Sequence, residues 1–564
     1  MDPVREQLWR WLTEPRYLQA EQLVLAVLAA VWILRPGWGW HWIERIERRA
    51  VDLAGKPLRA ALMLGAAVLG LRLALLPLFP VPEPHLPAEF AHLLAADTFA
   101  KGRAANPSHA HWEHFESPHV VHQPAYAAVS APGQGLLLLL GKMAGHPWVA
   151  VVVAAAAVPG VLFWMLTAWA PPRWALLGAC LAAMRWILYT YWINSYWSPA
   201  LEVIGGSLAI GACGYMVRRG AVGRNQALAM AAGAAILALT RPYAGALVIG
   251  AVLAVVVARF KARSLPVTLW MAAVMAPVTV GIVYQQWRVT GDAWKPVQEL
   301  YAETYRMARQ FVFQEPRPEQ SYRHEMLGEF HKWELEQQMM RRRQPAMGTV
   351  VNLAAIWRFL FGTGLTVALV GLPPALWRRK NRPLVFMAAV SLLGLSMETA
   401  LYPQSLAPVS GLVLLFVLES MRRLHAWSCC GIPYGIVFGR AIVIACVAML
   451  VVPPAAKLSG MEFQQSYASW WSIEWELHRP RLREQLEATP GKDLVLVRYL
   501  PRIAPPEEWV YNGADIDEEG IVWAREMDEK RTRELIDYFE GRRVWLLEAN
   551  HHRIELKPYR SLVH

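Results

Sequence analysis

In the stretch "HLPAEFAHLLAADTFAKGR", His85–Arg103, Glu89 and His92 stand three residues apart. On a helix that spacing puts both side chains on one face, and Asp97 follows about 80° further round. A carboxylate so placed can serve as general base toward a hydroxyl or an amine. Surface acids on a short interfacial helix would show the same spacing. The stretch follows directly on the apolar run "ALMLGAAVLGLRLALLPLFP", so these groups appear where the chain leaves a membrane-like segment.

Other residues extend the list of candidates. "HAHWEHF" places His109, His111 and His114 in H-x-H-x-x-H spacing, which with Glu113, Glu116 or Asp97 could ligate a metal. No cysteine supports such a site, and a polar loop surface has the same composition. "TRPYAG" sets Arg241 beside Tyr243 at the turn of a helical hairpin. A permanently charged guanidinium there suits a lipid-linked phosphate or pyrophosphate, which it can bind through two parallel N–H groups. "YRHEMLGEFHKWELEQQMMRRR" brings Tyr322, Arg323 and His324 together at the head of a charged helix, either a lid or a solvated surface. "SAPGQGL" could form an anion nest but matches no nucleotide motif. "ADID", with Asp515 and Asp517, reads as a turn.

These residues must be held by a largely apolar chain. Of its 564 residues 55% are hydrophobic, 27 are Trp and only 18% are charged. Apolar runs of near-membrane length recur throughout. The expected fold is a polytopic α-helical membrane protein with spans at 58–80, 148–169, 174–191, 198–217, 226–241, 243–258, 266–287, 351–375, 384–401, 405–421 and 436–455. A run at 19–34 would make twelve. The N-terminus lacks a small-residue cleavage site and reads as a retained membrane segment rather than a signal peptide. Segment 1–57 is therefore an N-terminal membrane segment plus an amphipathic helix on the cytoplasmic side. The transmembrane domain is 58–456, with polar loops at 81–147 and 288–350.

Residues 457–564 have a different grammar. "DLVLVRYL", "EWVYNG", "GIVWARE" and "RVWLLEA" are strand-like, and "EKRTRELIDYFEGRR" is helical, which makes a small α/β domain. Net charge divides the same way. Ser459–His564 holds 15 basic and 20 acidic residues, a net −5 against +17 for the rest of a chain whose total is +12. A uniformly basic nucleic-acid binder would not split like this. Short loops carrying Arg45/Arg48/Arg49/Lys56, Arg218/Arg219/Arg224, Arg259/Lys261/Arg263, Arg378/Arg379/Lys380/Arg382 and Arg422/Arg423 all fall on one side of the span scheme. By the positive-inside rule that side is the cytoplasm. Both long loops and the tail then face the periplasm. The five cysteines, Cys180, Cys213, Cys429, Cys430 and Cys446, lie in or beside apolar runs, with no zinc-type spacing.

Few ionisable residues enter the spans, and Arg72, Arg185, Glu202, Arg241, Arg358 and Glu398 all fall in the outer halves. At roughly 2.5–3.5 kcal/mol each on insertion scales, such placement suggests a polar cavity open to the outer face. Pairing across helices, Arg72 with Glu202 for instance, is the alternative. Charges confined to one half also argue against a transporter's path between leaflets.

Taken together, these pieces resemble the GT-C superfamily of membrane glycosyltransferases, which includes protein mannosyltransferases and the bacterial aminoarabinose transferase. The matching pieces, closest to bacterial members of the class, are Glu89-Phe90, Ala95–Arg103, Pro132–Gly135, Asn194–Trp197, Arg241–Tyr243, Tyr322–His324 and Glu508–Asp517. The resemblance implies a polyprenyl-phosphate sugar as donor, an extracytoplasmic acceptor (protein, lipid or glycan), and transfer with inversion at the bacterial inner membrane. It implies Glu89 as base, with Asp97 assisting or holding a divalent cation, Mg or Mn. Arg241, with Arg103 or Arg185, would stabilise the leaving phosphate, and His92, Tyr243, Tyr322 and His324 would line the substrate site. Ala88 stands where the pattern has a first acid, Ala244 replaces a Glu, and "YPQSLAP" lacks a His-Tyr pair. These departures fit either a shifted specificity or a relative that binds lipid-linked glycans without catalysis, in envelope assembly.

Overall fold

The computed structural model describes residues 16–34, 40–376, 378–428, 434–460, 478–500, 508–550 and 554–559. Cys429 and Cys430 fall outside that set. Proline punctuates the helices: Pro57, Pro87, Pro132, Pro147, Pro172, Pro199, Pro242 and Pro345 each begin one. The first turn of a helix has no use for the missing N–H, and proline's fixed φ already suits the helix.

Every expected span overlaps a helix, including 19–34, which lies within Arg16–Leu34. Among the described residues six helical stretches are long and apolar enough to cross a membrane, or seven with one bent pair. That number is lower than eleven or twelve. It takes Pro242–Thr290 as one 49-residue stretch, where the separate helices Pro242–Phe260 and Leu265–Thr290 cover segments 243–258 and 266–287 and meet at the turn Lys261–Ser264. Others, such as Arg224–Thr240 at 17 residues and Arg382–Ser396 at 15, are shorter than the ~20 residues that a bilayer core requires.

The bent pair covers the expected span 351–375. Pro345–Leu360 and Gly362–Pro374 meet at 91°. Gly362 has φ +54, and a Cβ there would lie 1.7 Å from Arg185 Nη2. Glycine is required on both counts. The second arm is capped from the N-terminal helix, where Glu21 accepts from the N–H groups of Thr363 (2.9 Å) and Gly364 (3.1 Å). The same carboxylate pairs with Arg185 at 2.9 Å, with Glu21 fully buried. An anion at a helix N-terminus and against a cation is doubly favoured. This contact ties the N-terminal helix into the bundle.

Small residues let the central helices approach. In Pro199–Arg219, "GGSLAIGACG" packs on Pro147–Trp169 and Arg224–Thr240. A Cβ at Gly206 would stand 1.8 Å from the Pro408 carbonyl oxygen. That close approach seats the 3-10 turn Pro403–Val409, which carries Ser405. At one end of the bundle, Arg378, Lys380, Arg422 and Arg423 gather around Glu419, so two of the basic loops meet there.

The two polar loops and the tail pack together as a polar cap. The first loop contains the helix Pro87–Ala100, short strands at Asn106–Pro107, Val120–Val121 and Ala125–Ala128, and the helix Pro132–Met143. Leu136, Leu140 and Met143 line an exposed stripe on that last helix, as an interfacial helix requires. The tail forms a four-stranded sheet in the order Ile521–Arg525, Asp493–Tyr499, Arg543–Ala549, Ile554–Pro558. The first three strands are parallel and the last is antiparallel, with helices at Arg479–Glu487 and Glu529–Tyr538. "EWVYNG" is not a strand. Its residues dock the sheet on the first loop, where Tyr511 stacks on Phe90 with centroids 4.3 Å apart.

Candidate active site

The segment Asn194–Glu202, which leads into and opens the helix Pro199–Arg219, joins motifs that are far apart in sequence. Asn194 Oδ1 accepts from Arg72 Nε at 2.8 Å. The Tyr196 N–H donates to Glu89 Oε1 at 3.0 Å, and its carbonyl accepts from Gln134 Nε2 at 2.8 Å. Ser198 Oγ donates to Glu202 Oε1 at 2.6 Å. Glu202 Oε2 lies 3.8 Å from Arg241 Nη1, and Arg241 Nη2 donates to Ser405 Oγ at 2.9 Å. Glu202 is 2% exposed, and Arg241 is the cation beside it.

Arg241 is the member of this chain of contacts open to a ligand, with a quarter of its side chain exposed. It sits between Arg224–Thr240 and Pro242–Phe260, where the second helix begins at Pro242. Tyr243, two residues along, donates to the Gly394 carbonyl at 2.8 Å and packs edge-on against Phe311. Two of the five guanidinium N–H directions face Ser405 and Glu202, which leaves donors for an anion.

Glu89 is 1% exposed. Besides Tyr196, its carboxylate accepts from the main-chain N–H of His85 (3.2 Å) and Leu86 (3.0 Å). The first turn of Pro87–Ala100 is thereby fixed to the 194–202 segment, and both oxygens are taken up by the backbone. His92 is buried, and burial together with His119 pushes its pKa down to about 3. Asp97 faces away from Glu89 toward the tail, in an ion pair with Lys142. Beside it lies Glu519, its carboxyl pushed up by burial and by Asp97.

Several expected members have other neighbours in the fold. Arg103 pairs with Asp515 at 2.6 Å, where Lys101 also binds at 2.5 Å, so it clamps the tail to the first loop. Arg185 belongs to the Glu21 cap. Arg72 contacts Asn194 and the carbonyls of Phe79 and Pro80 rather than Glu202. Tyr322 donates to the Tyr305 carbonyl at 2.6 Å, and His324 Nε2 to that of Glu113 at 2.7 Å. Both therefore line the junction of the two polar loops. The histidines do not converge either. His109 accepts from the His111 N–H at Nδ1, which leaves Nε2 to donate to Asp517 at 2.9 Å. His114 donates to the Arg525 carbonyl at 2.7 Å. Among the described residues no group of three or more His, Cys, Asp or Glu is arranged to hold a metal. Around Asp97, Glu519 adds a second carboxylate and Lys142 supplies the counter-charge, so the described residues there make no divalent-cation site.

Ser198, Ser405 and Glu21 are the participants that sequence reasoning missed. Glu202 reads as one of the outer-half charges, and Gln134 as part of a possible anion nest, without their partners. The two serines carry no signal, since only the fold gives them a charged neighbour.

No protein-family model matches the chain, and no curated protein does. Among solved structures, the Archaeoglobus fulgidus oligosaccharyltransferase tethered with an acceptor peptide aligns at TM-score 0.46 and 10% identity, covering 86% of this chain and 68% of that one. ArnT from Cupriavidus metallidurans in the apo state aligns at TM-score 0.46 and 13% identity, covering 86% and 93%. The same protein bound to undecaprenyl phosphate gives TM-score 0.43 at 13% identity, with 86% and 93% covered. Likenesses of this degree carry no functional argument, so the reading below rests on the chain's own residues.

Proposed function

We propose that the protein is a multi-pass membrane glycosyltransferase moving a sugar from a polyprenyl-phosphate donor to an extracytoplasmic acceptor. In this reading it lies in a bacterial inner membrane with its polar cap toward the periplasm, as the basic short loops favour. The observation that carries the reading is Arg241, a partly exposed guanidinium at a helix junction, steadied by buried Glu202 and by Ser405. In a single displacement the acceptor oxygen or nitrogen attacks the anomeric carbon, and the bond to the phosphate oxygen breaks. Negative charge then builds on the leaving lipid phosphate. A fixed guanidinium is most effective where charge develops, because it needs no reorganisation. The acceptor's proton passes to a carboxylate, for which the first loop offers Glu89 and Asp97.

A second reading has a specific observation in its favour. Glu89 is fully engaged with main-chain donors, and partly exposed Ala88 occupies the preceding position, where the resemblance calls for an acid. A catalytically degenerate relative that binds lipid-linked glycans would look like this. Purified protein given radiolabelled polyprenyl-phosphate sugars separates the two. Transfer predicts donor turnover that falls by roughly 10²–10³-fold in Arg241→Ala and is lost in Glu89→Gln or Asp97→Asn. Turnover that survives all three changes sinks the site assignment. Tight donor binding without turnover of any donor establishes the binder.

A further inference from the structure

Where the two polar loops meet, a cavity of about 200 Å³ is lined by residues that the scheme above leaves unused. Trp112, Tyr305 and Tyr322 supply aromatic surface, and Glu116, His122, Gln123 and Arg323 supply polar groups. Two of these polar side chains are almost wholly buried and incompletely paired. Glu116 is 2% exposed, with Oε1 taking the Tyr305 hydroxyl at 2.7 Å and Arg323 Nη1 at 3.3 Å, while Oε2 makes no hydrogen bond among the described residues and has His324 Nε2 3.5 Å away. His122 is 3% exposed, and its Nε2 likewise makes no hydrogen bond among them. Buried polar atoms without partners cost free energy, so two on one cavity wall mark where a polar ligand would repay it.

The chemistry of the wall narrows the ligand. The volume is below the roughly 300–1,000 Å³ of drug-sized pockets, which suits a single ring. Arg323 and Glu116 offset each other, and His122 is held neutral, pushed down to about 3 by burial. No net charge is therefore sought. Glu116 Oε2 accepts, Gln123 and Arg323 donate, and a neutral imidazole can do either. Groups of both kinds beside aromatic surface match a ring whose edge bears hydroxyls and whose faces are C–H. Arg323 lies over one face of Trp112 at 4.6 Å, which fixes that ring in the wall.

We propose that this cavity is a carbohydrate-binding subsite for a neutral hexose-sized ring, through which the polar cap holds the acceptor or its glycan. Only the word acceptor rests on the transferase reading; the binding site stands without it. The test is saturation-transfer NMR and calorimetry on the full-length protein in detergent, without donor. The probes are glucose, galactose, mannose, N-acetylglucosamine and their methyl glycosides. At least one should bind saturably in the millimolar range. Gln123→Ala alters an exposed side chain, and Arg323→Lys keeps a cation beside buried Glu116 while losing the planar fork; each should weaken that binding by about tenfold, the loss of one good hydrogen bond. No saturable binding by any of the sugars, or binding unchanged in both variants, overturns the proposal. Sugar binding without donor turnover keeps the subsite and removes the transferase. Turnover without sugar binding does the reverse.

Discussion

At the residue scale, Arg241 and Glu202 form a unit in which the carboxylate positions the guanidinium. Arg241→Lys keeps the charge but loses the planar fork, so donor KM should rise about tenfold or more, measured against an unchanged acceptor KM. Glu202→Gln should raise donor KM as well, because the arginine loses the partner that orients it. A Glu202→Gln variant with native donor KM would assign the carboxylate to packing alone. Acid sensitivity also belongs to this scale. His92, His122 and His324 are pushed down to about 3 and His119 to about 4, each chiefly by burial. The unfolded chain then takes up more protons than the folded one between these values and the ordinary histidine range near 6.5. Stability is complete above that range and falls as pH drops toward 3–4. Glu116, raised by burial, works in the opposite direction above 4.5. Hydrogen exchange across 81–147 and 288–350 should speed up steadily from pH 7 to pH 4. Exchange independent of pH, after correction for intrinsic rates, would contradict the burial of these rings.

The element scale explains what could and could not be read from the sequence. Apolar length located the helices, because it is a local property. The strands at Asp493–Tyr499, Ile521–Arg525 and Arg543–Ala549 were legible as apolar runs, whereas Ile554–Pro558 was not. That last strand is a short edge strand with a half-exposed pattern that periodicity barely marks. The 91° break at Gly362 was hidden because "LFGTGLTVALVGL" is evenly apolar. Its cause, the Glu21–Arg185 pair, comes from residues 164 positions apart. Glu21→Gln should destabilise by roughly 3–5 kcal/mol, since it strands a buried arginine. Gly362→Ala should be as damaging, through left-handed backbone and collision with the same guanidinium. Thermal unfolding in detergent measures both. An alanine that folds with native stability would refute the bend. Likewise Glu89 and Asp97 looked like one constellation along the helix, but the fold assigns them to different neighbours. Spacing fixes a face; it does not fix what that face meets.

At the scale of the molecule, the tail is a fixed part of the polar cap. Phe90 stacks on Tyr511, Arg103 and Lys101 grip Asp515, His109 binds Asp517, and Arg525 donates to the Glu116 carbonyl at 2.7 Å. Its exposed ion pairs contribute little singly, about 0–1 kcal/mol, while the aromatic contact and the buried arginine contribute more. Asp515→Ala should therefore leave melting nearly unchanged. Phe90→Ala should loosen the tail from the loop, seen as faster proteolysis within 81–147. A tail that remains protected in Phe90→Ala would mean that the ion pairs suffice.

The hydrogen bonds of Asn194–Tyr196 have an evolutionary consequence. Arg72, Glu89 and Gln134 come from separate stretches of the gene, yet each satisfies a buried partner within Asn194–Tyr196, and with Asn194 itself they make four. Replacing one strands a donor or acceptor in the interior. The four should therefore be inherited as a block, retained together or exchanged together, while neighbouring surface positions drift freely. Descendants that had lost catalysis would still keep them, because the block preserves the shape of the site and not its chemistry.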